Sequence, residues 1–377
     1  MSYLVGSGLI RYGRHEGRNS LDLMAQASTL ALADAGLARQ DIDGVLCGYS
    51  TTLPHLMLAT VFAEHFGLRP RYAHTVQMGG ATGLGLVMLA QQLVRSGAAR
   101  RILVVAGENR MTGQSRDSVV QMLAQVGHPV YEVPLGASVP AYYGLVASRY
   151  MHAFGNSERD FAALAVLMRQ HAARHEGAQF RTPITEEDVL ASRPIATPLK
   201  LLDCCATADG ACAVVVSAEP TGAHTVRVLG AAQYHNAQHI SAMDDLTELG
   251  AGACTASALR AAGRRLADVE YAGIYDSFTI TLAMLLEEIG LAPRGRAGQW
   301  AREGRFGREG AVPLNLHGGL LSYGHCGVAG AMAHLAEAHL QMTGRAGERQ
   351  APRAGLALLH ADGGVLSSHV SVVLEQA

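Results

Sequence analysis

The chain opens with a β-like apolar run, Tyr3–Leu9, and apolar residues then recur at helical spacing over Ser20–Ala35. Gly36 stops that helix. After Asp41-Ile42-Asp43, the short apolar run Gly44–Cys47 predicts a buried strand. A helix over Leu84–Val94, closed by Gly97, and a strand over Ile102–Ala106 follow. Strands alternating with helices predict a mostly parallel sheet covered on both faces, an α/β fold.

The same order returns later. Ala262-Gly263 leads to Asp268-Val269-Glu270 as Ala35-Gly36 leads to Asp41-Ile42-Asp43, and both are followed by a short apolar strand. Gly330 and Gly344 bracket a helix as Gly83 and Gly97 do, and strand Leu356–Leu359 follows it. Two matches in one order predict two homologous halves, residues 1–222 and 223–377, joined near Glu219–Val226. The stretch 111–198 has no counterpart and is expected to form an inserted helical lobe.

With 49% hydrophobic and 16% charged residues, 377 residues can bury a sizeable core, which excludes a disordered or coiled-coil chain. The 30 Lys and Arg against 32 Asp and Glu leave no basic excess for a phosphate backbone, so nucleic acid is not an expected partner. Apolar runs such as Leu84–Ala90 fall short of the roughly 20 residues that span a bilayer. No membrane association is expected, and the N-terminus lacks a signal-peptide pattern. Six cysteines are too sparse for a disulfide scaffold and have no zinc-ribbon spacing. Reduced thiols in the cytoplasm, with no metal, are the expectation.

Five segments in order then carry a resemblance: Val76-Gln77-Met78-Gly79-Gly80-Ala81-Thr82-Gly83; Leu201-Leu202-Asp203-Cys204 with Asp209-Gly210-Ala211; Tyr275-Asp276-Ser277-Phe278; Asn315-Leu316-His317-Gly318-Gly319 with Gly324-His325-Cys326-Gly327; and His360-Ala361-Asp362-Gly363-Gly364. Along nearly its whole length the sequence resembles the thiolase superfamily, nearest the sterol-carrier-protein type. The resemblance implies a five-layered αβαβα sandwich of two homologous halves, a homodimer, and acyl-CoA thioesters as substrates without a resident cofactor. It places a cysteine nucleophile at the position of Gly80, an acid/base cysteine at His360, and an Asn or His at Tyr275. His325 matches the family histidine, with Cys326 in place of a proline.

A glycine cannot be acylated, so thiolytic chemistry loses its nucleophile. Aldol chemistry needs only a base for a β-hydroxyl and a site for a thioester enolate. The resemblance assigns the enolate oxygen to the amides of Gly80 and Asp362, and makes Tyr275 and His325 the proton-transfer candidates, with His360 beside them. Some steroid side-chain-cleaving aldolases of this fold also lack the cysteine and carry a tyrosine resembling Tyr275. They work with a small OB-fold, zinc-ribbon partner, so such an accessory chain is an expectation here. Two alternatives stay open: acyl transfer with Cys326 as a displaced nucleophile, and an acyl-CoA-binding subunit without catalysis. In the lobe, Met122, Tyr131, Tyr142 and Tyr143 suggest an apolar lining. His171 and His175, at helical spacing, read as a solvated face, as do Arg169, Arg174 and Arg181.

Overall fold

The computed structural model describes residues 1–377 apart from the side chain of Arg116. The first half runs β1 (Tyr3–Leu9), α1 (Ser20–Ala35), β2 (Gly44–Gly48), α2 (Leu58–Phe66), β3 (Tyr72–Val76), α3 (Thr82–Arg95) and β4 (Arg101–Asn109). A helical stretch follows, α4 (Arg116–Ala124), α5 (Val139–Phe154), α6 (Glu158–Ala172) and α7 (Glu186–Ala191), with the small hairpin β5 (Pro194–Ala196) and β6 (Leu199–Lys200). Strand β7 (Asp209–Ser217) completes the first half. The second half holds β8 (Val226–His235), α8 (Ala251–Ala262), β9 (Tyr271–Ile274), α9 (Thr279–Ile289), α10 (Ala297–Arg302), α11 (Gly330–Met342), β10 (Leu356–Gly363) and β11 (Ser368–Gln376).

Local chemistry explains the boundaries. Asn19 and Asp22 form a reciprocal capping box at the start of α1, and Gly36 ends it with φ 65°, a left-handed turn that costs glycine nothing. Helices α3 and α11 are apolar almost all round, which fits a helix buried on every side. Both lie between the two sheet halves, touching strands of each. Helices α1 and α2 cover the outside of the first half, and α8 and α9 that of the second, so five layers result.

The strands follow the order β3-β2-β4-β7-β1, continued edge to edge by β8-β11-β10-β9 through Leu4↔Val226. From β2 to β1 and from β9 to β8 the order is the same, as a duplication requires. Glycine packing repeats too. A Cβ on Gly6 of β1 would run into the backbone of α1, and one on Gly230 of β8 into that of α8. The expectation of a mostly parallel sheet needs correction, because only β2–β3, β2–β4 and β9–β10 pair parallel. Strands β7 and β11 enter antiparallel to both their neighbours, β11 through a tight hairpin after β10, and neither arrives by a crossover helix. The lobe lays α5 and α6 over α9, and α6 against α10. Among the described residues, no helix is long and apolar enough to cross a membrane.

Candidate active site

Strand β9 ends at Ile274, and the Tyr275 amide goes on to donate to the His360 carbonyl of β10 (3.0 Å). Tyr275 thus stands at the carboxyl end of parallel strands, where sites of open α/β sheets form. Its phenol crosses to the loop that leads into α3. A Cβ on Gly80 would overlap the Tyr275 hydroxyl and the Asp362 carbonyl oxygen. Glycine at position 80 therefore makes room for the phenol, which occupies the space a side chain there would need.

The Tyr275 hydroxyl lies 2.9 Å from His325 Nε2. His325 Nδ1 accepts the Gly327 amide (3.2 Å), which assigns the proton of the neutral ring to Nε2, pointing at the phenol oxygen. Burial and the nearby Arg110 cation pull the His325 pKa down to about 3, so the ring is neutral. Burial, then Asp362, hold the Tyr275 phenol well above its ordinary range. Tyr275 is 4% exposed, whereas His325 is only half-buried. The pair is thus a covered hydroxyl beside a more accessible imidazole.

Neighbouring motif residues hold this pair in place. Asn315, at φ 45°, clamps Ile274 from both sides, its Oδ1 accepting the Ile274 amide (2.8 Å) and its Nδ2 donating to the Ile274 carbonyl (2.7 Å). The buried Asp276 carboxylate accepts the amides of Leu320 (2.7 Å) and Leu321 (3.3 Å), and His334 Nε2 lies 3.3 Å away. That fixes the π-type turn Gly319–Tyr323, which hands the chain through Gly324 (φ 127°) to His325. Residues 204–208 strap both loops together. The Cys205 amide donates to the Ser277 carbonyl (2.9 Å), the His325 amide to Ala206 (2.9 Å) and the Ala208 amide to His325 (3.0 Å).

Two features went unread in the sequence. At the end of β4, Arg110 Nε lies 2.5 Å from the buried Glu108 Oε2, and Glu108 also accepts the Thr51 hydroxyl (2.7 Å). The only linear signal was an acid and a base two residues apart after an apolar run. The second is the Asp362 side chain. Asp362 turns its carbonyl, an acceptor, to Gly80, while its amide belongs to β10 opposite His369. The expectation that the Asp362 amide donates to an enolate oxygen is therefore not met; of the two amides expected in that role, that of Gly80, just before α3, is the one left. The Asp362 carboxyl is 1% exposed, and neither oxygen has a hydrogen-bond partner among the described residues. Burial raises its pKa to about 7. Tyr143 of α5, stacked on Phe278 at 4.2 Å, is pushed well up by burial and then by Asp362.

The other sequence candidates lie as follows. The His360 ring is fully buried and committed to β11, with Nδ1 2.8 Å from Ser371 Oγ and Nε2 3.1 Å from His369 Nδ1. Cys326 is fully buried, and burial pushes its thiol up, away from the reactive thiolate. Helix α6 ends at Ala172, so His171 and His175 do not share a helix face. His171 is buried rather than solvated, its pKa drawn down to about 4 by burial. Arg169 is likewise buried, bonded to Ser322 Oγ (3.0 Å) and the Thr182 carbonyl (3.1 Å). In the lobe, Tyr142 and Tyr143 are buried and Tyr131 is exposed. A cavity of about 580 Å³ lies between α6, α7 and α10, lined by His171, Arg174, Arg302 and Arg308 among others, and none of Gly80, Tyr275, His325 or Asp362 lines it.

Comparison with known proteins agrees with this geometry. The thiolase N-terminal domain family matches residues 7–220, and the thiolase C-terminal domain-like family residues 232–376. The chain is 33% identical over 336 residues to the 17-hydroxy-3-oxo-4-pregnene-20-carboxyl-CoA lyase of Mycobacterium tuberculosis, covering 84% of this chain and 86% of the relative. It is 27% identical over 369 residues to an acetyl-CoA acetyltransferase of Methanothermobacter thermautotrophicus, covering 96% of each. The solved Ltp2-ChsH2(DUF35) aldolase superposes with a TM-score of 0.87 at 29% identity, over 100% of this chain and 97% of that one. The chain belongs to the thiolase family.

Proposed function

We propose that this thiolase-family enzyme makes or breaks a carbon–carbon bond next to an acyl-CoA thioester by non-covalent, aldol-type chemistry. The observation that carries the reading is the Tyr275 phenol, bonded to His325, lying where a side chain on Gly80 would stand. In the cleaving direction, the bond between the α- and β-carbons breaks and its electron pair becomes the thioester enolate. The β-hydroxyl gives up its proton and becomes a carbonyl. The Gly80 amide meets the enolate oxygen, a fixed dipole aimed at developing charge. Tyr275 delivers its proton to the α-carbon, and the His325 Nε2–H holds the phenolate that results. The similar lyase and aldolase support this direction of chemistry. An accessory chain belongs to the reading, supported by the two-component name of that solved aldolase. A homodimer is proposed from family membership alone.

The acetyltransferase relative supports a second reading, acyl transfer, for which Cys326 is the available thiol. The test is turnover of 3-hydroxyacyl-CoA esters by Tyr275→Phe and His325→Ala. The first should fall by roughly 10²–10⁴-fold, the usual weight of a positioned proton donor, and the second by less. Unchanged turnover in both variants removes the mechanism. A persistent acyl adduct on Cys326 in mass spectra would move the conclusion to acyl transfer.

A further inference from the structure

The Tyr275–His325 pair has donors on both sides and no acceptor for a substrate proton. His325 Nδ1 is occupied by the Gly327 amide, so Nε2 carries its proton toward the phenol, and the phenol keeps its own. Cleavage nevertheless requires a group that takes the β-hydroxyl proton. Besides His325, the charged and titratable groups that act most strongly on Tyr275 are Asp362, Cys205, Tyr143 and Arg110. Arg110 is a cation. Burial keeps the Cys205 thiol and the Tyr143 phenol protonated. His360 spends both ring nitrogens on β11. Asp362 alone of these can accept a proton; its carboxyl is buried, the Tyr143 hydroxyl and the Leu366 amide approach it, and neither oxygen reaches a partner in good hydrogen-bond geometry among the described residues. A native carboxyl left so is costly and calls for an explanation.

We propose that the Asp362 carboxylate is the general base that takes the β-hydroxyl proton, an assignment that rests on the aldol reading above. In that role the carboxyl receives the β-hydroxyl beside Tyr143, whose ring stacks on Phe278. The cycle closes on itself. Asp362 gains the hydroxyl proton, Tyr275 protonates the α-carbon, and Asp362 returns its proton to the phenolate, so the enzyme is restored while the β-carbon becomes a carbonyl and the α-carbon gains the proton. The pKa of about 7 suits a base that must both take and release a proton near neutrality. The groups facing Asp362 are Tyr143 from α5, Tyr275 from the end of β9 and His369 across β11, all neutral when Asp362 titrates.

The test is the pH dependence of kcat/KM for 3-hydroxyacyl-CoA cleavage by wild type, Asp362→Asn and Asp362→Glu, each checked for an unchanged melting temperature. Wild-type activity should rise with pH through an inflection near 7 and then level off. Asp362→Asn should lose roughly 10²–10⁴-fold and the inflection with it. Asp362→Glu, whose longer side chain displaces the carboxylate but keeps a base, should regain part of the rate with a displaced inflection. A folded Asp362→Asn protein that stays within about threefold of wild type, or keeps the inflection, overturns this assignment alone. A wild type that cleaves no 3-hydroxyacyl-CoA, with or without an accessory chain, overturns the aldol reading and this assignment together.

Discussion

The two halves share a strand order, a glycine that seats the first helix on its strand, and a central helix, yet they bring different things to the reacting centre. The first half brings backbone, the Gly80 amide and a bare Cα. The second brings side chains: Tyr275, His325 and Asp362. Duplicated packing has been kept because strands and helices must fill the same layers. The loops at strand ends carry little of that burden, so their chemistry could diverge. The bare Cα at position 80 and the phenol from the opposite half are complementary parts of one fit.

The strongest way to break that complementarity is Gly80→Ala. Its Cβ would overlap the Tyr275 hydroxyl and the Asp362 carbonyl oxygen. Turnover should fall at least about 100-fold, since small misplacements at a reacting centre cost that much. Thermal unfolding should show a loss of about 1–3 kcal/mol from overpacking. Adding Tyr275→Phe should return part of the stability, and a fully active Gly80→Ala enzyme would refute the tight fit.

Acid should separate the halves next. His325 (about 3) and His369 (about 4) are buried neutral in the second half, and His317 and His360 are held well below the ordinary range there. Beside strands β1–β4, His55, His65 and His74 are exposed, and the buried His171 and its neighbour His175 belong to the lobe. An unfolded chain binds protons on His317, His325, His360 and His369 near pH 6.5, while the folded one does not. The stability they contribute is therefore present above about 6.5 and drains away as pH falls toward 3–4. Asp362 acts in the opposite sense: its raised pKa costs stability that builds up as pH rises from about 4 to 7 and stands in full above 7, a cost that acid relieves. Hydrogen exchange between pH 6.5 and 4 should therefore show strands β8–β11 losing protection before β1–β4. Equal loss in both halves would contradict this.

The smallest effect is expected at Cys326. It sits next to His325 in sequence, but its thiol is buried beside Tyr12 rather than facing the centre. Cys326→Ala should change kcat/KM by less than about threefold, and a large loss would revive acyl transfer.

Much of this was legible before any coordinates. The helix Ser20–Ala35 could be read to the residue because Asn19, Asp22 and Gly36 write its ends in local chemistry. Gly80, Tyr275 and His325 were singled out together through motifs with a fixed order along the chain. The side chain of Asp362 was not, because a buried, unbonded carboxyl has no signature in one dimension. Its burial depends on Tyr143 arriving from a lobe more than two hundred residues away. His171 and Arg169 were read as solvated for the same reason, since helical spacing tells which residues share a face but not what covers it.

By itself, then, the sequence determined the duplicated α/β plan, the glycine at position 80 and the pairing candidates Tyr275 and His325, because periodicity, caps and motif order are local properties. Only the tertiary structure decided that the phenol fills the space at Gly80, that Asn315 and Asp276 hold Tyr275 and His325 in register, and that the Asp362 carboxyl is buried near Tyr143. Those depend on desolvation and on distances between residues remote in the chain, which are set when the two halves and the lobe close around a common centre.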